Sequence, residues 1–196
     1  MRFAAVLSMI ALAFSALATP ADAQGDDRGP TSPPYYINKA ARFAVLFPGT
    51  PAVTDVMYTS ANGARVPAKQ YAVAQGNGQY NVTVVDFPAG PAVDPAIVEH
   101  AARNIIGKGT LVWQSRTEYE PGVGSRQIFV SLSDGRQIQA AIYMWDHRLF
   151  IVEGHGTPGT PALLRFAQSI VLFQANGDEV QGDAPPGGRG GGRGGN

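Results

Sequence analysis

Two histidines and two carboxylates in the second half of the chain have side chains that could bind a metal ion. They are Asp146, His147, Glu153 and His155. Glu153 and His155 lie two residues apart, so in an extended segment their side chains share a face. Zinc accepts both imidazole nitrogen and carboxylate oxygen. The spacing is generic, however, so no metal ligand is assigned, and the group remains an alternative site for a metal or a small molecule.

The segment Gly154-His155-Gly156-Thr157-Pro158-Gly159 has the G-x-G-x-x-G spacing of a dinucleotide-binding loop. Such a loop opens a βαβ unit, and an acidic residue about 20 positions further on binds the ribose. Asp178 and Glu179 lie at about that distance, but in a polar stretch that no strand precedes. We therefore expect no cofactor, and we interpret the segment as a glycine-rich connection into a helix at Thr160.

No motif for a catalytic nucleophile is complete. In Gly122-Val123-Gly124-Ser125-Arg126 the serine is misplaced for G-x-S-x-G. The chain has no cysteine, which excludes a thiol nucleophile, disulfides and thiolate metal sites. Three histidines and scattered serines do not define a triad, because a triad is a geometric arrangement. The protein is therefore expected not to be an enzyme.

Three aromatic residues, Trp113, Tyr143 and Trp145, form the candidate interaction surface. Tyr143 and Trp145 are two positions apart in a strand-like segment and so share a face. Aromatic side chains are enriched at protein interfaces. The alternative is that these rings pack beneath a helix, because the strands here need cover on both faces. Solvent exposure of the rings distinguishes the two interpretations.

The charge balance gives no reason to expect nucleic acid as a partner. The chain has 15 basic and 15 acidic residues, for a formal net charge of +0. Its Gly187–Gly195 segment resembles the RGG segments that bind RNA in other proteins, but it contains only Arg189 and Arg193 as cations. Residues 175–196 have almost nothing to bury and are predicted to be a disordered tail.

The beginning of the chain has the pattern of an export signal. Arg2 supplies a positive charge, Phe3–Ala18 is apolar, and Ala21-Asp22-Ala23 is an A-x-A cleavage signal. Residues 1–23 are predicted to be a signal peptide, and residues 24–34 a flexible leader. The apolar stretch is short for a transmembrane anchor. We expect a periplasmic or secreted protein with no stable membrane insertion after cleavage.

The elements that position these residues are mainly strands. Asn62-Gly63 is a strong hairpin signal, and Ser133-Asp134-Gly135 and Asp146-His147 are tight connections between later strands. The predicted strands cover 43–47, 53–60, 65–74, 79–87, 110–118, 126–132, 136–145 and 148–153.

The first of these strands stops at Pro48-Gly49-Thr50-Pro51. Proline cannot donate a ladder hydrogen bond, and glycine permits backbone angles that other residues avoid. The cluster is predicted to turn the chain sharply into the next strand. A ligand-binding loop is the alternative.

Two helices are predicted to cover the strands. Asp94 followed by Pro95 can start a helix over 94–107, and Thr160 followed by Pro161 can start one over 160–173. Several strands are apolar at successive positions, so both of their faces need cover. The predicted fold class is therefore α+β: a three-layer α/β/α sandwich on a mainly antiparallel sheet with two principal helices.

Residues 41–173 resemble the Mog1/PsbP-like superfamily. The matching residues are Phe43–Pro51, Tyr80 with Asp86-Phe87-Pro88, Asp134-Gly135 with Ile142-Tyr143, and Phe166 with Ser169 and Leu172. The resemblance implies a Mog1/PsbP-like domain over residues 35–174. Plant relatives are lumenal subunits of photosystem II, and a eukaryotic relative binds a small GTPase.

The resemblance also implies a non-enzymatic scaffold, and it offers no catalytic residue to carry over. The expected function is an exported binding or assembly module of the bacterial cell envelope with a protein partner. The alternative is a periplasmic small-molecule or metal-binding protein that uses the hairpin edge over 146–156.

Overall fold

The computed structural model describes residues 35–87, 90–116, 123–160 and 162–180. Strands take up 51% of these residues and helices 13%. The predicted signal peptide, the leader and the tail beyond Val180 lie outside the described residues. In chain order the elements are β1 (Tyr36–Asn38), β2 (Phe43–Val45), β3 (Ala52–Thr59), β4 (Arg65–Gln75), β5 (Gly78–Asp86), α1 (Pro95–Ile106), β6 (Thr110–Ser115), β7 (Gly124–Ser131), β8 (Gln137–Trp145), β9 (Arg148–Gly156), α2 (Leu163–Gln168) and β10 (Val171–Leu172).

Seven strands form the main sheet in the spatial order β3-β4-β5-β9-β8-β7-β6, and each neighbouring pair is antiparallel. Local turn chemistry explains several of its hairpins. Gly63 and Gly135, in two of the connections, have φ of 79° and 81°, which glycine adopts without steric cost. The connection between β8 and β9 instead places Asp146 and His147 at φ 45° and 62°.

A second, three-stranded sheet has the order β1-β2-β10. Phe43 of β2 lies opposite Asn38 of β1 and Leu172 of β10. The first predicted strand therefore does not join the main sheet, and the chain passes from one sheet to the other over residues 46–51.

The main sheet separates two apolar cores. In β9, Phe150 and Val152 belong to the first core, whereas Leu149 and Ile151 belong to the second. This alternation follows from the two-residue repeat of a strand and explains the successive apolar residues. The small sheet and α2 cover the first core, and α1 covers the second.

Helix α1 forms where the sequence predicts it. The Asp94 side chain accepts a hydrogen bond from the backbone N–H of Ala96 at 2.8 Å, and Pro95 occupies the first turn. Gly107 ends the helix. The buried residues of α1 recur at helical spacing and belong to the second core: Val98, Ala101, Ala102 and Ile105.

The predicted three-layer α/β/α sandwich with two principal helices is wrong. The protein is mostly antiparallel β-structure in two sheets, and α2 has only six residues. The Ser169 hydroxyl donates to the carbonyl of Phe166 and accepts from the N–H of Leu46 at 3.0 Å, just after α2 ends. The chain then becomes extended, and β10 pairs with β2.

The ordered fold continues past the predicted domain end at residue 174. Phe173 forms an isolated bridge with Glu179, and the N–H of Val180 donates to the carbonyl of Leu172 at 2.8 Å. Val180 is buried in the first core. Residues 175–180 are thus packed against the domain.

Candidate functional site

The four possible metal ligands do not lie together. Asp146 and His147 form the turn between β8 and β9, whereas Glu153 and His155 lie near the other end of β9. Since a strand rises about 3.3 Å per residue, the six residues from His147 to Glu153 span about 20 Å. The described part of the chain contains no group of three or more His, Cys, Asp or Glu side chains that could hold a metal ion.

The two acidic side chains of that set are engaged in ion pairs. Asp146 binds Arg42 at 2.9 Å, and Glu153 binds Lys108 at 2.6 Å. Burial alone would raise the pKa of Glu153, but the hydrogen bond from His155 and the charge of Lys108 outweigh it and lower that pKa. Glu153 is therefore held as a carboxylate by its neighbours.

The predicted surface of Trp113, Tyr143 and Trp145 is not formed. Tyr143 is 3% exposed in the first core, and Trp145 is half-buried against the same core. Those two rings pack beneath the covering layer, as in the alternative interpretation, although a small sheet and a short helix provide that layer. Trp113, on β6, is 49% exposed.

Trp113 lies in an exposed apolar run at one edge of the main sheet. Its neighbours Leu111 and Val112 are also exposed, and Thr110–Ser115 contains no charged residue. The register between β6 and β7 shifts between Leu111 and Trp113, which leaves Val112 without a paired residue on β7. This run is called the β6 edge below.

A cavity of about 710 Å³ opens at one end of the main sheet. It lies between the end of β2, the β4–β5 turn, the segment after β9, and α2. Two glycine- and proline-rich segments that are more than 100 residues apart in the sequence meet there, since Pro48 and Pro158 both line it. The described lining residues are Leu46, Pro48, Gln75, Gly76, Asn77, Tyr80, Thr157, Pro158, Gly159, Thr160, Ala162, Arg165 and Phe166.

Two aromatic rings lie beneath the inner wall of this cavity, and both are buried: Tyr80 is 5% exposed and Phe166 is 1% exposed. The rings of Tyr80 and Phe166 meet edge to face with centroids 5.2 Å apart, and the ring of Phe47 lies 5.1 Å from that of Phe166. A Cβ atom on Gly78 would come within 2.8 Å of the Tyr80 side chain, so the absence of a side chain at this glycine leaves room for the ring. Burial raises the pKa of Tyr80, which therefore stays a neutral phenol at ordinary pH.

The glycines of the G-x-G-x-x-G segment serve packing. A Cβ atom on Gly154 would lie 3.2 Å from the Cα atom and the carbonyl oxygen of Leu163, at the start of α2. One on Gly156 would lie 2.6 Å from the hydroxyl oxygen of Thr160. Both glycines let the chain after β9 fold back onto that strand. The strands of the main sheet are antiparallel, so this sheet provides no parallel βαβ unit for a dinucleotide.

The rim of the cavity is polar. The hydroxyls of Thr157 and Thr160 lie 3.3 Å apart, and Gln75 and Asn77 add amide groups from the β4–β5 turn. Arg165 is the charged residue among the described lining residues. No histidine, aspartate or glutamate occurs among those residues, so the two threonines have no general base beside them. The described rim therefore offers hydroxyl, amide and guanidinium groups that can hydrogen-bond a ligand.

Sequence reasoning missed most of this site. It offered a ligand-binding loop at Pro48 only as an alternative, and it did not single out Gln75 or Arg165. The available signal was that two loops rich in glycine and proline flank strand ends, where loops commonly carry binding residues.

Comparison with models of known protein families gave no match, and comparison with curated proteins gave none. The resemblance to the Mog1/PsbP-like superfamily therefore stays a prediction. Within the described residues, no helix is both long enough and apolar enough to cross a membrane.

Proposed function

We propose that the protein is an exported, non-enzymatic binding module of the bacterial cell envelope that holds a small ligand with an apolar body in this cavity. The observation that carries the proposal is a concave site with an apolar lining of Leu46, Pro48 and Pro158, a polar rim and no acid–base pair among its described residues. The predicted signal peptide supports a location outside the cytoplasm, and the Mog1/PsbP-like resemblance supports a non-enzymatic role.

The size and lining of the cavity agree with this function. Ligand pockets usually measure about 300–1,000 Å³ and combine apolar walls with a few polar groups that orient the ligand. Leu46 and Pro48 offer partly exposed apolar surface, and the buried rings of Tyr80 and Phe166 support it from beneath. Burying a ligand's apolar surface there contributes roughly 25 cal/mol per Å² removed from water.

Binding of N-phenyl-1-naphthylamine tests this function. The dye is neutral and apolar, and its fluorescence rises when it leaves water. We expect the mature protein to bind it and Gln75→Trp to weaken binding about tenfold or more, because an indole would fill the cavity from its rim.

The matched control is Gln79→Trp. Gln79 is also exposed, but it precedes Tyr80 on β5 and so points to the opposite face of the sheet. The Gln79→Trp protein should bind the dye as tightly as the unmodified protein does. Absence of dye binding, or equal binding by both variants, would contradict the proposal.

A second candidate function, docking of a protein partner, is favoured by the β6 edge. Edge strands offer unpaired backbone groups to another chain, and natural edges usually carry charges that prevent this. Thr110–Ser115 carries no charge and exposes three successive apolar residues, whereas β3 at the opposite edge carries Asp55. The occupant we propose is an extended apolar segment of an envelope protein.

A photo-crosslinking amino acid placed at Trp113 tests this docking in intact cells. We expect one discrete adduct that disappears when Val112→Lys is added, because a charge on the edge opposes strand addition. The same probe at Ile37, which is 59% exposed on β1, should give no such adduct. Equal adducts at both positions, or none at Trp113, would exclude docking at the β6 edge.

A further inference from the structure

We infer that the ligand of the cavity carries an anionic group, and that Arg165 binds this group while the apolar lining at Leu46 and Pro48 holds the apolar body. The inference rests on the proposed small-ligand function and adds the chemical class: a single-headed organic acid, such as an aryl or alkyl carboxylate, sulfonate or phosphate monoester.

The charge of the site favours an anion. Arg165 supplies a guanidinium group, and no acidic side chain occurs among the described lining residues to attract a cation instead. The charged side chain of the described lining is thus a cation, which favours an anionic over a cationic ligand. A guanidinium has five N–H donors in a planar fork, so it can bind an acid group in addition to its contact within the chain.

The position of Arg165 in α2 allows both parts of such a ligand to be bound at once. It precedes Phe166, and successive helical residues point about 100° apart, so one residue can stay at the exposed rim while the other is buried. The hydroxyls of Thr157 and Thr160 lie at the same rim and can donate hydrogen bonds to an acid oxygen. The acid group thus belongs at the opening, and the apolar body belongs against Leu46 and Pro48.

Two dyes that differ by one acid group provide the test. Their skeleton is shared, but 8-anilino-1-naphthalenesulfonate carries a sulfonate that N-phenyl-1-naphthylamine lacks. We expect the mature protein to bind the sulfonate about tenfold more tightly, because a hydrogen bond to a charged group contributes more than a neutral one. Arg165→Gln should reduce the ratio of the two dissociation constants to about one, and Arg165→Lys should retain part of the preference.

The control is Arg103→Gln on the exposed side of α1, across the main sheet from the cavity. It removes the same charge and should keep the preference, and circular dichroism should show that all variants are folded. Equal binding of the two dyes by the unmodified protein would overturn the inference while leaving the proposed function in place. Failure of both dyes to bind would overturn both. A preference that survives Arg165→Gln, or is lost in Arg103→Gln, would also contradict the assignment to Arg165.

Discussion

Replacing Phe43 by alanine should lower the free energy of unfolding by about 3–5 kcal/mol, the usual cost of removing a buried phenylalanine ring. Phe43 is fully buried, and its ring contacts the rings of Tyr36, Tyr71 and Phe150 at centroid distances of 6.0, 5.0 and 6.4 Å. The substitution therefore opens a cavity between the small sheet and the main sheet. Urea unfolding followed by circular dichroism measures the loss.

The control for this substitution is Ile37→Ala on β1, the strand paired with β2. Ile37 is mostly exposed, so removal of its side chain should change the free energy by less than about 0.5 kcal/mol. If Phe43→Ala cost no more than the control, the small sheet would not be the cover of the first core.

Gly154→Val should lower the free energy of unfolding by about 2–3 kcal/mol, because it overpacks the contact between β9 and α2. Even a Cβ atom at this position would lie 3.2 Å from the backbone of Leu163, and the two methyl groups of valine need more room than that. Since backbone atoms cannot rotate away, α2 must move off β9. Thermal and urea unfolding report the loss of stability.

Gly49→Val is the matched control for Gly154→Val. It makes the same substitution at an exposed glycine, where a Cβ atom would lie 3.7 Å from the nearest side-chain atom, a methyl carbon of Val73, which is an ordinary van der Waals distance. We expect a change within about 1 kcal/mol. A Gly154→Val protein as stable as the control would show that the glycine is not needed for the approach of α2.

Local chemistry made much of the β-structure predictable. The turn at Asn62-Gly63 and the start of α1 at Asp94-Pro95 are specified by adjacent residues, and both occur as predicted. The strand positions were predictable for the same reason, because the alternation of apolar and polar residues and the turn residues between strands are local features of the sequence.

The cover of the first core was not predictable in this way. Leu163 to Leu172 has apolar residues at helical spacing, but the helix ends at Gln168 and β10 follows. The pairing of β10 with β2 is a tertiary contact between segments that are more than 100 residues apart in the sequence. Short apolar runs do not separate helix from strand by periodicity alone, so the error arose there.

The candidate site depended even more on tertiary structure. Pro48, Asn77 and Thr160 come from three separate connections, and nothing in their local spacing relates them. The predicted aromatic surface is not formed because the prediction depended on residue type and not on the position of each strand in the sheet. Tyrosine is a residue type enriched at interfaces, but β8, the strand that carries Tyr143, lies in the interior of the main sheet.

The separation of the two cores by the main sheet has a consequence for how this protein can diverge. The buried side chains of one core do not belong to the other, so substitutions on the two sides should act nearly additively. Tyr80 and Phe166, which lie beneath the proposed ligand site, belong to the first core alone. The preference of that proposed site can therefore change through mutations on its side of the sheet while the packing beneath α1 continues to support the fold.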